Sequence, residues 1–569
     1  MNQYPGTEPL RNETFDLVVV GSGAAGLSAA VTAAHQGLKV VLLEKAEVIG
    51  GTTAWSGGWM WAPRNPLAVR AGIVEDIEAP RTYLSNVLGN NFDERKVDAF
   101  LRAAPEMVAF FETSTALSFE SGTSIPDTYG HVPGAGQGGR SVIATPFDGR
   151  ELGGSIARLR LPLAETTFMG MTIQAGADLR AFMNMTRSVQ SFAHVSKRFS
   201  RHLADLVLHR RGMQLRNGIA LVARLLKSAL DAGVDLRTSV DVIRLIQSEG
   251  CVQGVDYADA AGARRIDAQR GVILATGGAP HDLARIALLS PQRTPPKTLA
   301  TEHCTGAGAA LAETVGAAFD RSLASPSAYC PVSEVPKPNG PNSLFPHIIE
   351  RGKPGIIGVL KNGNRFCNEG NGYHDYVTAM LDATPDGQTV ESWLVCTRAF
   401  QRRYGLGISR PHPLPVGPFV RNGYLKYGKT LRELALACGI DPDGLEHTVR
   451  DYNTHALRGE DPAFGRGTTP YNRHQGDPTQ EPNPCVAPLD QGPFFAVRVI
   501  PGSFGTFAGL KTNEHAQVLN DRGEVLEGLY AAGADMASVM GGHYPAGGIN
   551  LGPAMTFGYI AGKHAAGGT

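Results

Sequence analysis

The chain has 569 residues and carries 53 basic and 53 acidic side chains, so its formal net charge at pH 7 is zero. That length is too great for a single hydrophobic core and predicts about two domains. Because its charges balance, the chain has no overall electrostatic field that would attract it to nucleic acid.

The seven cysteines are scattered singly and have no spacing suited to a zinc, haem or iron–sulfur site. Such isolated thiols are typical of a reducing compartment. The start of the chain lacks the apolar segment of a signal peptide, and no run reaches the roughly 18 apolar residues of a membrane-spanning helix. We therefore predict a cytoplasmic protein that binds no metal ion.

The first predicted elements are a strand, a glycine-rich turn and a helix. Residues 15–20 form a β-rich apolar run, typical of a strand buried on both faces of a parallel sheet. This run leads into Gly-Ser-Gly-Ala-Ala-Gly at 21–26, and small apolar residues with helical periodicity follow at 27–36. A second strand at 39–43 ends at Glu44. The order of these elements predicts a dinucleotide-binding unit.

Each glycine of this turn has its own physical role. Gly21 permits the tight turn, Gly23 lets backbone N–H groups approach a pyrophosphate, and Gly26 lets helix and strand pack closely. Glu44 has the spacing at which a carboxylate accepts hydrogen bonds from the adenosine ribose. A glycine-rich turn alone would support a nucleotide site only weakly, but here all the parts occur in order.

Glycine and hydroxyl clusters further along the chain favour FAD over NAD. Residues 50–58 follow the acid closely and can line the diphosphate and ribityl chain of a flavin. Two later strand-to-turn units, at 271–278 and 528–535, would wrap the same cofactor. The candidate cofactor-binding residues are Gly21, Ser22, Gly23, Ala24, Ala25, Gly26, Glu44, Lys45, Gly51, Thr52, Thr53, Ser56, Gly57, Gly58, Val242, Gly277, Gly278, Asp535, Asn550 and Leu551.

Four segments together resemble the fumarate reductase and succinate dehydrogenase flavoproteins. They are the nucleotide-binding signature, residues 139–150, residues 364–369 and the glycine-rich tail at 542–559. Within this superfamily the chain is most similar to the 3-ketosteroid dehydrogenases, and the resemblance covers nearly its whole length. No histidine occupies 51–54, where flavin-linked relatives carry one, so a non-covalent FAD is implied.

The resemblance also implies an α/β fold with two domains. A Rossmann-like FAD-binding domain would be assembled from both chain ends, with an α+β substrate domain inserted as a cap. Proline-rich stretches near Thr298 and Pro493 suggest the boundaries. The expected segments are 1–298 and 493–569 for the FAD-binding domain and 299–492 for the substrate domain.

The expected substrate is an uncharged, lipophilic ketone. Fumarate reductases have a catalytic arginine after the Asn-Glu segment and histidines before a Thr-x-Gly-Gly stretch. This chain has Tyr373 at the first position and no histidine in residues 503–509. A dicarboxylate buried without cationic partners would cost several kcal/mol, so a dianionic substrate is disfavoured.

Carried over to this chain, the tail motif assigns the Tyr544 hydroxyl and the Gly548 N–H to the ketone oxygen, where they would stabilise an enolate. Tyr373, if ionised, would remove the α-proton, and Tyr129 is the candidate for an assisting tyrosine. Flavin N5 would accept the hydride.

Residues 126–130 contain one tyrosine where the steroid enzymes have two, and Ala546 stands where they usually have glycine. Both departures weaken the assignment of a steroid but leave ketone desaturation intact. The leading hypothesis is therefore FAD-dependent α,β-dehydrogenation of a cyclic ketone, above all at the Δ1 position of a 3-ketosteroid.

Three alternatives remain open at this point. The first is the same reaction on a smaller, cyclohexanone-type ketone or at another steroid ring position. The second is a neutral enone reductase, and the third is a non-catalytic electron-transfer flavoprotein. In the leading case an external acceptor must reoxidise the flavin, and neither its identity nor the oligomeric state can be read from the sequence.

Three further features have two interpretations each. Arg365 should pair either with Glu369 or with the flavin domain, and His543 should either tune the phenol of Tyr544 or point outward. The basic stretch 180–216 has apolar residues at helical spacing. It could lie on a membrane surface, but a solvated helix face or a subunit contact is favoured.

Overall fold

The structure is a computed structural model that describes residues 12–290 and 295–568. The N-terminal segment that argued against a signal peptide falls mostly outside these residues. The α-helices are α1 Ala24–His35, α2 Pro66–Arg70, α3 Glu78–Leu88, α4 Glu94–Ser114, α5 Ala177–Met183, α6 Val189–His209, α7 Gly218–Asp231, α8 Leu283–Leu289, α9 Ala307–Glu313, α10 Tyr373–Ala383, α11 Arg398–Tyr404, α12 Gly417–Arg421, α13 Leu431–Cys438, α14 Pro442–Ala456, α15 Pro470–Gln475 and α16 Leu551–Ala565. Short 3-10 helices span Gly51–Trp55, Gly89–Asn91, Gly149–Arg158, Ala164–Thr166, Glu350–Gly352 and Gly533–Asp535.

The strands, in chain order, are β1 Asn12–Phe15, β2 Leu17–Val20, β3 Val40–Leu43, β4 Trp59–Trp61, β5 Phe119–Ser121, β6 Ser141–Ala144, β7 Phe147–Asp148, β8 Gln214–Leu215, β9 Asp235–Arg237, β10 Asp241–Ser248, β11 Cys251–Asp259, β12 Gly262–Ala268, β13 Val272–Leu274, β14 Lys297–Thr298, β15 Phe319–Asp320, β16 Ser327–Val335, β17 Ser343–Pro346, β18 Ile356–Val359, β19 Ser392–Thr397, β20 Leu425–Gly428, β21 Phe494–Thr506, β22 Gly509–Leu510, β23 Gln517–Leu519 and β24 Val525–Ala531.

A Rossmann-like sheet of six strands has the order β23-β24-β13-β2-β3-β9. Strand β2 is buried throughout, as its apolar run predicts, and pairs in parallel with β3 and β13. Strand β24, from near the end of the chain, pairs in parallel with β13 on its other side. The predicted assembly of this α/β sheet from both chain ends is therefore confirmed.

Helix α16 crosses α1 closely because glycines face the crossing. A Cβ atom on Gly558 would lie 2.4 Å from the carbonyl oxygen of Ala25, and one on Gly562 would lie 2.6 Å from that of Ala29. Larger residues would force the helices apart. This contact brings the start of α16 beside the glycine-rich turn.

A second sheet has the strand order β17-β16-β21-β19-β18, and β14 and β20 also pair with β21. Strand β21 runs from Phe494 to Thr506 and is central to this sheet. The boundary expected at residue 493 would assign β21 to the FAD-binding segment, whereas its hydrogen bonds join it to strands of the inserted region. Its pairing partners are remote in sequence, so local composition does not reveal them.

The basic stretch forms α6, which is followed by Arg210 in a left-handed conformation. Its buried side includes Arg198, whose guanidinium pairs with Asp178. Apolar side chains on its other side are exposed, among them Val189 and Val207 at 87% and 82%. None of the described helices has the length and apolar character to cross a bilayer. Peripheral membrane contact through this helix stays a prediction.

Candidate active site

The glycine-rich turn between β2 and α1 has no room for side chains at two positions. Gly21 has a φ of +104°, and a Cβ atom there would lie 2.2 Å from the carbonyl oxygen of Ala275. A Cβ atom on Gly26 would lie 1.9 Å from the carbonyl oxygen of Gly21. At Gly23, by contrast, a Cβ atom would meet only the Thr53 hydroxyl at 3.6 Å, so this backbone borders open space.

A cavity of about 1130 Å³ is lined by this turn and by residues of both the N-terminal region and the inserted region. It is lined by most of the residues predicted to bind the cofactor. These are Gly21, Ser22, Gly23, Ala24, Ala25, Glu44, Lys45, Gly51, Thr52, Thr53, Ser56, Gly57, Gly58, Val242, Gly277, Asn550 and Leu551. The predicted Gly26, Gly278 and Asp535 lie outside its wall.

Asp535 instead joins the ends of β13 and β24 through hydrogen bonds. Its carboxylate accepts hydrogen bonds from the hydroxyl of Thr276 at 2.9 Å and from the backbone N–H of Gly278 at 3.0 Å. Burial raises the pKa of Asp535, and these donors oppose that rise. The residue therefore positions the turn at Gly277 that does line the cavity.

The residues around the turn fit the ADP half of FAD. The first N–H groups of α1 have no acceptor within the helix, which makes its start a site for an anionic diphosphate. Glu44 ends β3 beside this point and is 8% exposed. One of its oxygens accepts from the N–H of Ser22 at 2.9 Å, and the other from the N–H of Ala46 at 2.8 Å.

Farther along, the cavity wall becomes aromatic. The rings of Tyr373 and Tyr544 meet edge to face, with centroids 4.8 Å apart and planes at 72°. Phe504 contacts Tyr373 in the same manner at 5.4 Å. Phe507 packs against Tyr544 with centroids 6.0 Å apart. All four rings line the cavity, and this end suits an apolar ring with a polar substituent.

Tyr544 lies in the glycine-rich tail and is 6% exposed. The side-chain amide of Asn550 donates a hydrogen bond to its phenol oxygen at 3.1 Å. Burial raises the pKa of Tyr544, so its hydroxyl keeps its proton at neutral pH. The phenol is thus a hydrogen-bond donor held at the cavity wall.

Gly548 lies four residues further on and also lines the cavity. Its φ is +98°, and its carbonyl oxygen accepts from the N–H groups of Trp61 and Gly552 at 3.1 and 2.9 Å. Among the described residues, no acceptor takes the N–H of Gly548. An unpaired backbone donor beside a cavity is what an oxyanion site requires.

Tyr373 begins helix α10 directly after Gly372. Burial is the main cause that raises its pKa well above the ordinary value, and the hydrogen bond with Tyr544 raises it further. No cation is among the groups that shift this pKa. The phenol of Tyr373 is therefore protonated at neutral pH, and only a small ionised fraction can act as a base.

Two histidines lie close to the phenols, and His374, the residue after Tyr373, is buried. His374 accepts a hydrogen bond from the N–H of Tyr329 on Nδ1, and burial lowers its pKa to about 3, so the ring is neutral. It stacks on Tyr544 with centroids 5.8 Å apart. His543 is half-buried with a lowered pKa, and among the described residues it makes no hydrogen bond to the Tyr544 phenol.

Tyr129 does not line the cavity, but it is hydrogen-bonded to Asp375 on α10. Its hydroxyl donates to the Asp375 carboxylate at 2.7 Å, and its backbone N–H donates to the Tyr83 hydroxyl at 3.2 Å. Burial raises the pKa of Asp375 to about 6, against the opposing effect of the Tyr129 hydroxyl. Tyr129 thus contacts α10 two residues after Tyr373, which is the first residue of that helix.

The predicted pairing of Arg365 with Glu369 is confirmed, with hydrogen bonds of 2.8 and 2.7 Å. Arg466 adds a bond to the same carboxylate, and Asp461 accepts from Arg365. These side chains lie outside the cavity wall. The network is structural and supports the loop that leads to Tyr373.

Sequence reasoning missed four residues in or beside the cavity: Phe504, Asp375, Tyr471 and Lys353. Phe504 falls in the stretch that was inspected only for histidines. Asp375 could have been noticed as an acid two positions after the proposed base. Tyr471 and Lys353 have no local motif, and only the folded chain brings them to the cavity.

A family model described as an FAD binding domain matches residues 16–551. The chain is 38% identical over 570 residues to the 4-oxocyclohex-2-ene-1-carboxylate 5-dehydrogenase of Sinomonas cyclohexanicum, with 98% of this chain and 95% of that protein covered. It is 34% identical to the 3-oxosteroid 1-dehydrogenase of Mycobacterium tuberculosis, with coverage of 97% and 98%.

The fold is similar to the crystal structure of the 3-ketosteroid delta1-dehydrogenase from Sterolibacterium denitrificans in complex with 1,4-androstadiene-3,17-dione. The TM-score is 0.88 at 31% sequence identity, and the match covers 97% of this chain and 99% of the other.

Proposed function

The chain belongs to the flavoprotein family that carries this FAD-binding domain, in the branch of the 3-ketosteroid dehydrogenases, and from that premise we propose that it dehydrogenates a cyclohexanone-type ring beside the carbonyl. It is an FAD-dependent oxidoreductase. The observation that carries the proposal is the combination of the Tyr544 phenol and the unpaired N–H of Gly548 on one cavity wall. These donors would polarise the ketone oxygen and stabilise the enolate that forms as the α-proton leaves.

Tyr373 would accept that proton as its phenolate, since its ring contacts Tyr544 and lines the same cavity. Its raised pKa makes the ionised form scarce at neutral pH, so the reaction should be faster in alkaline solution. Tyr129 would assist through Asp375, whose position on α10 it fixes by a hydrogen bond. Neither Tyr129 nor Asp375 would touch the substrate.

Bound FAD supplies the acceptor for the hydride of the neighbouring carbon. Its binding residues would be those of the glycine-rich turn, Glu44 and the start of α16. The ring loses one proton and one hydride and gains a carbon–carbon double bond. The electrons would then pass from the reduced flavin to an external acceptor.

Steroids and monocyclic ketones both contain such a ring, and relatives named for each are similar to this chain at 34% and 38% identity. The tail motif supports dehydrogenation at the Δ1 position of a 3-ketosteroid. A monocyclic cyclohexanone is the second candidate, because the single tyrosine of residues 126–130 and Ala546 depart from the steroid enzymes.

The test is to mix oxidised holoenzyme anaerobically with a 3-keto-4-ene steroid or with 4-methylcyclohexanone and to follow the flavin band at about 450 nm. Bleaching by either compound supports ring-ketone dehydrogenation and shows which ring system is accepted. Reoxidation of photoreduced enzyme by an enone, without bleaching by any saturated ketone, would instead identify a neutral enone reductase. No response in either direction would refute the proposal.

A further inference from the structure

The cavity that contains the two phenols also has a basic end, which we define by Lys353 and Arg180. The ammonium group of Lys353 donates to the carbonyl oxygen of Gly476 at 2.8 Å, and it forms no ion pair with a described carboxylate. The guanidinium of Arg180 makes no hydrogen bond or ion pair with any described residue. Two cations thus border the cavity without an anionic partner.

The acidic side chains near this end already have partners on the protein. Asp477 pairs with Arg403, and it also accepts from the hydroxyls of Tyr404 at 2.6 Å and Thr479 at 2.7 Å. The backbone N–H of Thr479 is a fourth donor to this carboxylate, at 2.9 Å. With these partners, the charge of Asp477 only partly offsets the positive charge of the basic end.

Glu350 is the other acid of the cavity wall nearby, and its carboxylate contacts Nδ1 of His347 at 2.6 Å. Burial lowers the pKa of Lys353, and the positive charges of Arg180 and Arg403 lower it further, against the opposing charge of Asp477. The electrostatic surroundings of Lys353 are those of a site that lacks an anion.

One short helix, α15, connects this basic end to the phenols. Tyr471 lies near its start, lines the cavity and influences the pKa values of both Tyr373 and Tyr544. Gly476, the partner of Lys353, follows its last residue.

We propose that the basic end binds a carboxylate carried by the cyclic ketone substrate on the side of the ring opposite the carbonyl group. This inference rests on the proposed function. In a cyclohexanone with a 4-carboxylate, the ketone and carboxylate oxygens are roughly 6 Å apart by standard bond lengths. A monocyclic keto acid carries this group on the reacting ring, whereas a steroid acid carries it on a side chain.

The prediction of an uncharged substrate rests on Tyr373 in place of an arginine and on the absence of histidine from residues 503–509. Around Tyr544 the structure has a neutral His374, aromatic rings and the Asn550 amide. The basic end lies beyond that region. A monoanion whose charge is remote from the ketone satisfies both parts of the cavity.

The decisive variant is Lys353→Met, which keeps most of the length of the side chain and removes its charge. With 4-oxocyclohexanecarboxylate we expect KM to rise about 10- to 100-fold with little change in kcat, as for a lost charge-assisted hydrogen bond. With the neutral 4-methylcyclohexanone, KM should not change. Lys353→Arg should retain most of the affinity for the acid, and Arg180→Gln should show a smaller rise.

The matched control is Lys361→Met, because Lys361 pairs with Glu391 outside the cavity and is 57% exposed. It should leave both KM values unchanged. If wild-type enzyme shows no preference for the acid over 4-methylcyclohexanone, or if Lys353→Met raises both KM values equally, the carboxylate site is refuted. Comparing a steroid ketone that has a side-chain carboxylate with its neutral parent tests whether a steroid substrate supplies the carboxylate.

A binding experiment separates this proposal from the reaction itself. The probes are 4-hydroxybenzoate and its neutral analogue 4-methylphenol, titrated into oxidised holoenzyme while the flavin spectrum is recorded. We expect 4-hydroxybenzoate to bind more tightly, and Lys353→Met to remove that advantage. This result without any ketone turnover would support the carboxylate site and refute the dehydrogenation. Turnover of ketones together with equal binding of both probes would support the dehydrogenation and refute the carboxylate site.

Discussion

The side-chain amide of Asn550 donates a hydrogen bond to the phenol oxygen of Tyr544 at 3.1 Å. Because the amide occupies an acceptor position on this oxygen, the hydroxyl proton remains available for another acceptor. Asn550 precedes helix α16, which packs on α1 through Gly558 and Gly562. The donor that we assign to the ketone is thus fixed relative to the cofactor-binding turn.

Replacing Tyr544 by Phe removes this donor and keeps the ring. We expect kcat to fall about 10²- to 10³-fold, as for the loss of one oxyanion donor, while the flavin spectrum stays that of the wild-type holoenzyme. Steady-state turnover with an artificial acceptor measures the loss. Tyr427→Phe, at a ring that is 40% exposed, is the control and should keep full activity. Undiminished turnover in Tyr544→Phe would contradict the assignment.

The raised pKa of Tyr373 predicts a reaction that accelerates with pH. Below the pKa of a phenol the ionised fraction increases tenfold per pH unit, so kcat should rise about 100-fold between pH 7 and 9. Tyr373→Phe should lose both the activity and the exchange of the substrate α-proton with D₂O. A flat pH profile in wild-type enzyme, with chemistry shown to limit the rate, would argue against a phenolate base.

Gly548 and Gly547 offer a matched pair of substitutions. A Cβ atom on Gly548 would lie 2.7 Å from the backbone nitrogen of Trp61, and the φ of +98° disfavours alanine as well. A Cβ atom on Gly547 would meet nothing within 4 Å. Gly548→Ala should therefore displace the proposed oxyanion donor and lower kcat at least tenfold, whereas Gly547→Ala should leave folding intact.

Flavin content and thermal unfolding of both variants show whether a loss of turnover comes from lost cofactor, lost stability or the displaced N–H group. If Gly548→Ala retains full flavin and a wild-type unfolding temperature but loses turnover, the backbone N–H is the feature that matters. Equal activity of the two variants would remove Gly548 from the proposed site.

The nucleotide-binding half of the site was predictable because its geometry is encoded by residues that are close in sequence. Gly21, Gly23, Gly26 and Glu44 lie within one strand–turn–helix–strand unit, and each position has a local steric or polar requirement. The pairing of Arg365 with Glu369 was predictable for the same reason, since four residues separate them.

The other half depends on contacts between distant segments. Tyr129 and Asp375 are joined by a hydrogen bond across 246 positions, and no periodicity in either segment indicates it. Lys353 and Arg180 meet the same cavity from separate loops and helices. Strand β21 enters the second sheet through partners on both sides. Such relationships follow from the packing of the whole chain.

The burial of Asp375 predicts a pH dependence of stability. Its pKa rises from 3.8 to about 6 on folding, so the native state prefers the protonated form. The stability that this proton provides is fully present below about pH 4 and is lost as the pH rises through about 6. The shift corresponds to about 3 kcal/mol of unfolding free energy.

Asp375→Asn cannot ionise and keeps an acceptor for the Tyr129 hydroxyl. Relative to wild type, this variant should gain about 2 kcal/mol between pH 4 and pH 7, as measured by urea unfolding at both values. Asp231→Asn, at an exposed partner of Lys227, is the control and should show no such gain. If the difference between Asp375→Asn and wild type is the same at both pH values, Asp375 has an ordinary pKa. Tyr129 would then be bonded to a carboxylate that is ionised throughout this range.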